Sequence, residues 1–294
     1  MVNWKGFFSQ KFVVTAGVRQ GGCISPFLFN VMVDSVISAV HESGLGCHVD
    51  NLNFGILMYA DDLILLSASP FHLQKMIDIC INSLNDIDLS INIKKSVCVR
   101  IGKRSRYACP LVMINNVLIQ WSDSVKFFGI LFTSGTKLSV DFKSSRCKFF
   151  SSFNSIFSKI PKARESVIVA LTKSKCTPSL LYGMEALKLN KSGLQRLDNP
   201  LYLALGKIFK TFDRNVLNNC MFFLSTLPPS LEYLVRKAKF LANLKESRNC
   251  LLHVLFNTCA STELDALFRG QQLVPDGNLY TFKRKVWKTF ETLL

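Results

Sequence analysis

The stretch FGILMYADDLILLS (54–67) constrains this chain more than any other. Residues 54–60 and 63–67 are apolar and β-prone, and Asp61 and Asp62 stand between them. Two such runs joined by two turn-tolerant polar residues predict a β-hairpin. Both runs are largely apolar, which predicts cover on both faces. Adjacent carboxylates repel and resist burial, so the pair either lies in a solvated turn or holds a cation.

The flanking segments are organised around this hairpin. TAGVRQGGCISP (15–26) reads as a glycine-containing loop. Its end, Ser25-Pro26, is a helix start: a capping hydroxyl, then proline at the first helical position. Apolar residues at 28, 31, 32, 36 and 40 follow at helical spacing, and Gly44 ends the helix. Ser69-Pro70 repeats the signal, predicting a helix to about Asp86 with Leu73, Ile77, Cys80 and Leu84 on one face. LSINIKKSVCVRIG (89–102) alternates as a strand does, and 111–119 and 125–132 read as a strand pair with Trp121-Ser122-Asp123 between. From about Ser139 long helical patterns dominate, broken at Pro161, Pro178, Pro200 and Pro228-Pro229. The expected fold is α+β over residues 1–138 and all-helical over 139–294.

Charge follows the same division. Residues 1–140 hold 12 basic and 9 acidic residues, net +3, while 141–294 hold 24 and 11, net +13. A polyanion partner accounts for such a bias through phosphate neutralisation. Solubility charge on exposed helix faces accounts for it as well. The ten cysteines form no Cys-x-x-Cys pair and the four histidines do not join them at zinc-ligand spacing, so they read as reduced, small hydrophobes. No apolar stretch approaches the ~20 residues that span a bilayer, so no membrane partner is expected. The start, MVNWKGFFSQK, lacks the regions of a signal peptide. An intracellular location is expected, with nucleus and cytoplasm both open.

Three blocks occur in order: GVRQGGCISPFLFNV, FGILMYADDLILLS, and LSINIKKS followed by VKFFGILF. Together they resemble the reverse transcriptase of non-LTR (LINE-type) retrotransposons, from the second conserved block of the palm onward. PSLLYGMEALKL (178–189) resembles, more loosely, the helical region after the palm. The resemblance implies a partial polymerase palm, an antiparallel sheet with packed helices, and then a helical thumb-like domain. It implies RNA-directed DNA polymerisation, with an RNA template and a DNA primer as partners. Asp61 and Asp62 would hold Mg²⁺ in a two-metal site, Asp61 as the principal ligand. Arg19, Gln20, Gly21 and Tyr59 would meet the template–nucleotide pair. Lys95 would lie near the leaving pyrophosphate, and Phe127-Phe128-Gly129 would form the primer grip. Each has a plainer reading: a solvated Asp-Asp turn, a Gly-Gly turn before a helix, a surface lysine, core aromatics.

Two departures matter. Cys23 stands where the family pattern has proline. The family's earlier aspartate block and its fingers are missing ahead of Arg19, so the metal site is expected to be incomplete and the polypeptide inactive alone. The same lack should leave an unpaired sheet edge along 54–60 or 63–67, open to self-association. A non-catalytic nucleic-acid-binding protein and a non-functional retroelement relic are the alternatives.

Overall fold

Proline in its first turn opens the helix Ser25–Glu42, as the Ser25-Pro26 pair predicts, although Ile24 rather than Ser25 takes the N-cap position. The computed structural model describes residues 1, 3–13, 21–273, 278–292 and 294. It divides into two compact units, one formed by Met1–Cys98 with Ala108–Trp121, the other by Val99–Tyr107 with Ser122–Leu294.

In the first unit, Ser25–Glu42 and Pro70–Asn85 pack together and against the hairpin Ile56–Tyr59/Asp62–Leu65. Val36, Val40, Met76 and Cys80 are fully buried, with Ile56 and Leu84 nearly so, and Leu63 and Leu65 pack on them. Each such side chain contributes about 1.5–3 kcal/mol over its exposed state. The first helix buries Val33, Val36 and Val40, whereas Leu28, Val31 and Met32 are exposed. Helical spacing is legible there, but among the described residues burial falls on the carboxyl-terminal part of the stripe.

Two strand expectations need correction. Residues 111–119 and 125–132 do not pair with each other: Val112–Ile114 pairs with Val117–Ile119, and Ser124–Phe127 with Ile130–Thr133. Asn115 and Asn116 both adopt positive φ (48° and 63°), the conformation a tight two-residue hairpin turn requires and one that Asn tolerates. The 89–102 run is not one strand. Asn92 accepts from the backbone N–H of Lys95 and from the Ser96 hydroxyl, bending the chain into a turn that overrides the alternation. The edge of the 112–114 strand is closed by a side chain: the Gln74 amide donates to the Met113 carbonyl (2.9 Å) and accepts from its N–H (2.8 Å).

The second unit begins as a three-stranded antiparallel sheet, Ser124–Phe127, Ile130–Thr133 and Ser139–Asp141. The 138/139 division drawn from composition falls inside this unit, because the third strand pairs with the second. Gly102 N–H donates to the Gly135 carbonyl at 2.8 Å, which ties in the 99–107 segment. Helices follow, around a core that includes Phe149, Phe153, Leu201, Leu205, Phe282 and Phe290. Pro200 does not break its helix. It lies buried within Lys191–Phe209, where Leu197, Leu201 and Leu205 are buried as well. Burial of that face offsets the ~3 kcal/mol cost of an interior proline. The final helix Leu279–Glu291 buries Phe282, Val286 and Phe290 at a four-residue spacing, leaving Lys283, Arg284, Lys285 and Lys288 off that stripe. Among the described residues no helix is long and apolar enough to cross a membrane. The fold is mixed α and β, and the described strands form several small antiparallel sheets.

Candidate functional site

The carboxylate hairpin turns one residue earlier than the sequence implies. Ala60 and Asp61 form the turn, and Asp62 opens the second strand, directly opposite Tyr59. The register explains the shift. It sets Ile56 against Leu65 and Met58 against Leu63, whereas a turn at 61–62 would set Ile56 against Ser67. Apolar pairs on the covered face thus choose the turn, even though Ala60 must take φ +50°, a conformation costing a non-glycine residue roughly 1–2 kcal/mol.

Among the described residues, the two helices cover one face of the hairpin. Ile56, Leu63 and Leu65 join the core, while Leu57 and Tyr59 are exposed on the other face. The expectation of cover on both faces fails because both helices pack on the same side. Alternation along the strand therefore sends Asp62 to the open face with Tyr59 and Leu57. Asp61 and Asp62 are both exposed, which meets the desolvation objection raised by their adjacency.

The base of the hairpin is fixed by two glycines in backbone contact. A Cβ on Gly46 would lie 2.5 Å from the Gly55 Cα, and one on Gly55 would lie 2.8 Å from the Gly46 Cα. Asn53 secures the same corner: its amide donates to the Leu45 carbonyl (2.9 Å), and its oxygen accepts from Gly55 N–H (2.6 Å). Cys47 N–H then donates to the Leu66 carbonyl, extending the hairpin's hydrogen bonding toward the loop. None of these residues was singled out from sequence; GLG and FG at 44–46 and 54–55 were the available signal.

The remaining candidates divide. Arg19 and Gln20 lie outside the described residues. Gly21 is exposed at φ +82°. Lys95 is exposed in the Asn92 turn rather than on a strand. Carboxylate oxygens suit a hard divalent cation. Yet among the described residues no group of three His, Cys, Asp or Glu side chains comes together as a metal site.

In the second unit, Phe128 and Gly129 form a two-residue turn between Phe127 and Ile130, with φ +46° and +77°. The Phe127 and Phe128 rings lie 4.0 Å apart, and Phe128 is exposed. A Cβ on Gly129 would sit 3.9 Å from Lys148 Nζ and 4.0 Å from Tyr182 Cε1. The turn tip thus faces an exposed cation and an exposed ring, neither singled out from sequence, although Tyr182 lies within PSLLYGMEALKL. The Leu187 carbonyl accepts from the Tyr233 hydroxyl (2.6 Å) and from Lys237 Nζ (3.1 Å), and Lys237, 2% exposed, also pairs with Glu263 at 3.2 Å. Burial pushes the Tyr233 phenol up to about 12, so it is a donor throughout the neutral range.

Residues 2–132 match the family model for reverse transcriptase (RNA-dependent DNA polymerase). Over 141 residues the chain is 29% identical to the Retrovirus-related Pol polyprotein from type-2 retrotransposable element R2DM of Drosophila melanogaster, covering 45% of this chain and 13% of that protein. It is 28% identical over 131 residues to the Retrovirus-related Pol polyprotein from type-1 retrotransposable element R2 of Popillia japonica, covering 43% and 18%. The protein from element R2 of Nasonia vitripennis is 29% identical over 127 residues, covering 40% and 12%. The chain spans less than a fifth of the length of these relatives.

Proposed function

We propose, taking residues 2–132 as reverse transcriptase sequence of the non-LTR retrotransposon kind, that this chain is a palm segment followed by a thumb-like nucleic-acid-holding region. The observation that carries this reading is the exposed hairpin tip that presents Asp61 and Asp62 within the matched segment. The inherited chemistry is template-directed nucleotidyl transfer from an RNA template onto a DNA primer. Arg19, Gln20, Gly21 and Tyr59 meet the template–nucleotide pair, Lys95 meets the pyrophosphate, and Phe128-Gly129 positions the primer end.

The family implies a divalent metal, which neutralises charge on the reacting phosphate when bound. Asp61 and Asp62 offer two of its oxygen ligands. Among the described residues no third His, Cys, Asp or Glu side chain joins them. We therefore read the 294-residue polypeptide by itself as a nucleic-acid binder without polymerase activity. The net +13 of residues 141–294 supports the binding half of this reading.

Primer extension on an RNA template tests it. The polypeptide alone should give no product with Mg²⁺ or Mn²⁺. Extension that disappears in Asp61→Ala would refute the reading of an incomplete site.

A further inference from the structure

We propose that Lys148 and Tyr182, together with the Phe128-Gly129 turn, form a notch that grips one nucleic-acid strand. Lys148 takes a backbone phosphate, and the Tyr182 ring stacks on a sugar or base. The proposal rests on the nucleic-acid reading above and assigns that function to particular residues.

Three observations carry it. First, the notch has a built shape. Gly129 puts no side chain at its floor, and the Lys148 ammonium and the Tyr182 ring stand 3.9 and 4.0 Å from where a Cβ would be. Tyr182 is 54% exposed, so its ring is available to a ligand rather than spent on the core. A cation to meet phosphate and an aromatic ring to stack on a base suit the binding of single strands without reading their sequence.

Second, the turn accepts strain that presents an aromatic. Phe128 takes φ +46° where Asn, Asp or Gly would sit at lower cost. Its ring stays exposed beside Phe127 instead of entering a core. An observed backbone outlier of this kind points to a positional role.

Third, the segment bearing Tyr182 is braced by neighbouring residues. Gly183 follows it at φ +71° and lies close against the Ile130 side chain. Further along the chain the Leu187 carbonyl takes both the Tyr233 and the Lys237 donors. The backbone beside Tyr182 is therefore packed against Ile130, the residue that follows Gly129. The ligand is an anionic phosphodiester strand, in keeping with the excess of Lys and Arg in this region.

The test uses the full chain with fluorescent single-stranded oligo(dT) and oligo(U), titrated over a range of salt, and the same strands carrying 5-iodouracil for photocrosslinking. Tyr182→Ala should weaken binding about tenfold, the effect of losing one stacked base, and Tyr182→Phe should restore it. Lys148→Ala should lower the slope of log K against log salt by about 0.7, one phosphate on a single strand, and Lys148→Arg should restore it. The crosslink should map to the peptide holding Tyr182. Tighter binding of one strand identifies the DNA or the RNA as the strand held. If the chain binds but both alanine variants match the parent in affinity and slope, the notch is wrong while the nucleic-acid reading stands. If the parent binds neither strand at any salt, the nucleic-acid reading falls and the notch falls with it.

Discussion

Gly46→Ala should unseat the carboxylate hairpin, and Gly44→Ala, two residues away, should not. Gly46 sits at φ +111°, and a Cβ there would meet the Gly55 Cα at 2.5 Å. The obstacle is backbone, so no side-chain rotation relieves it. Conformational strain of about 1–3 kcal/mol and overpacking of about 1–3 kcal/mol both apply. Gly44 is also left-handed, at φ +63°, but a Cβ there meets nothing within 4 Å. Only the conformational cost of roughly 1–2 kcal/mol applies to it. The difference between the variants is thus the clash at the hairpin base. Converted to an opening equilibrium, it corresponds to about tenfold to a hundredfold faster amide exchange. Hydrogen–deuterium exchange of peptides covering 54–67 reads this directly. Gly44→Ala should alter exchange only near the end of the Ser25–Glu42 helix. Equal exchange across 54–67 in both variants would refute the view that the two glycines seat the hairpin.

Three further outcomes follow from the same geometry. Lys237→Ala strands Glu263 and removes a donor from the Leu187 carbonyl, so chemical denaturation should show a loss of about 3–5 kcal/mol; the double variant Lys237→Met/Glu263→Leu should recover most of it, and no recovery would mean the pair is not the unit lost. Burial raises the Glu232 carboxyl above its usual range despite Arg236, Lys173 and Lys283 nearby. Its stabilising contribution is therefore full below the unfolded pKa and fades as pH rises through the folded one. Glu232→Gln should flatten that decline in melting temperature between acid and neutral pH, and an unchanged profile would contradict it. The hairpin Ile56–Tyr59/Asp62–Leu65 forms a two-stranded sheet, and Ile24, Phe27, Leu28, Val31 and Met32 are exposed nearby in sequence, so the isolated chain should self-associate; elution as a compact monomer in size-exclusion chromatography with light scattering would count against it.

Local chemistry was legible in the sequence wherever neighbours in the chain decide the outcome. Proline in the first turn opened both long helices of the first unit, and helical spacing picked out Ile77, Cys80 and Leu84. Two apolar runs around a polar pair became a hairpin, and the ordered motif blocks lay within the stretch that matches reverse transcriptases. What the sequence could not decide was set by partners distant along the chain. Which residue of Ala60-Asp61-Asp62 turns depends on cross-strand pairing of Ile56 with Leu65. Whether Val31 or Val36 is buried depends on where Pro70–Asn85 comes to lie, since the two share a helix and a hydropathy. Pro200 survives inside a helix because its neighbours are buried, which no local propensity foretells. Gly129, Lys148 and Tyr182 come together although no spacing rule connects them. Tertiary structure decided these features because burial and close approach are properties of the surface a residue meets, and that surface comes from elsewhere in the chain.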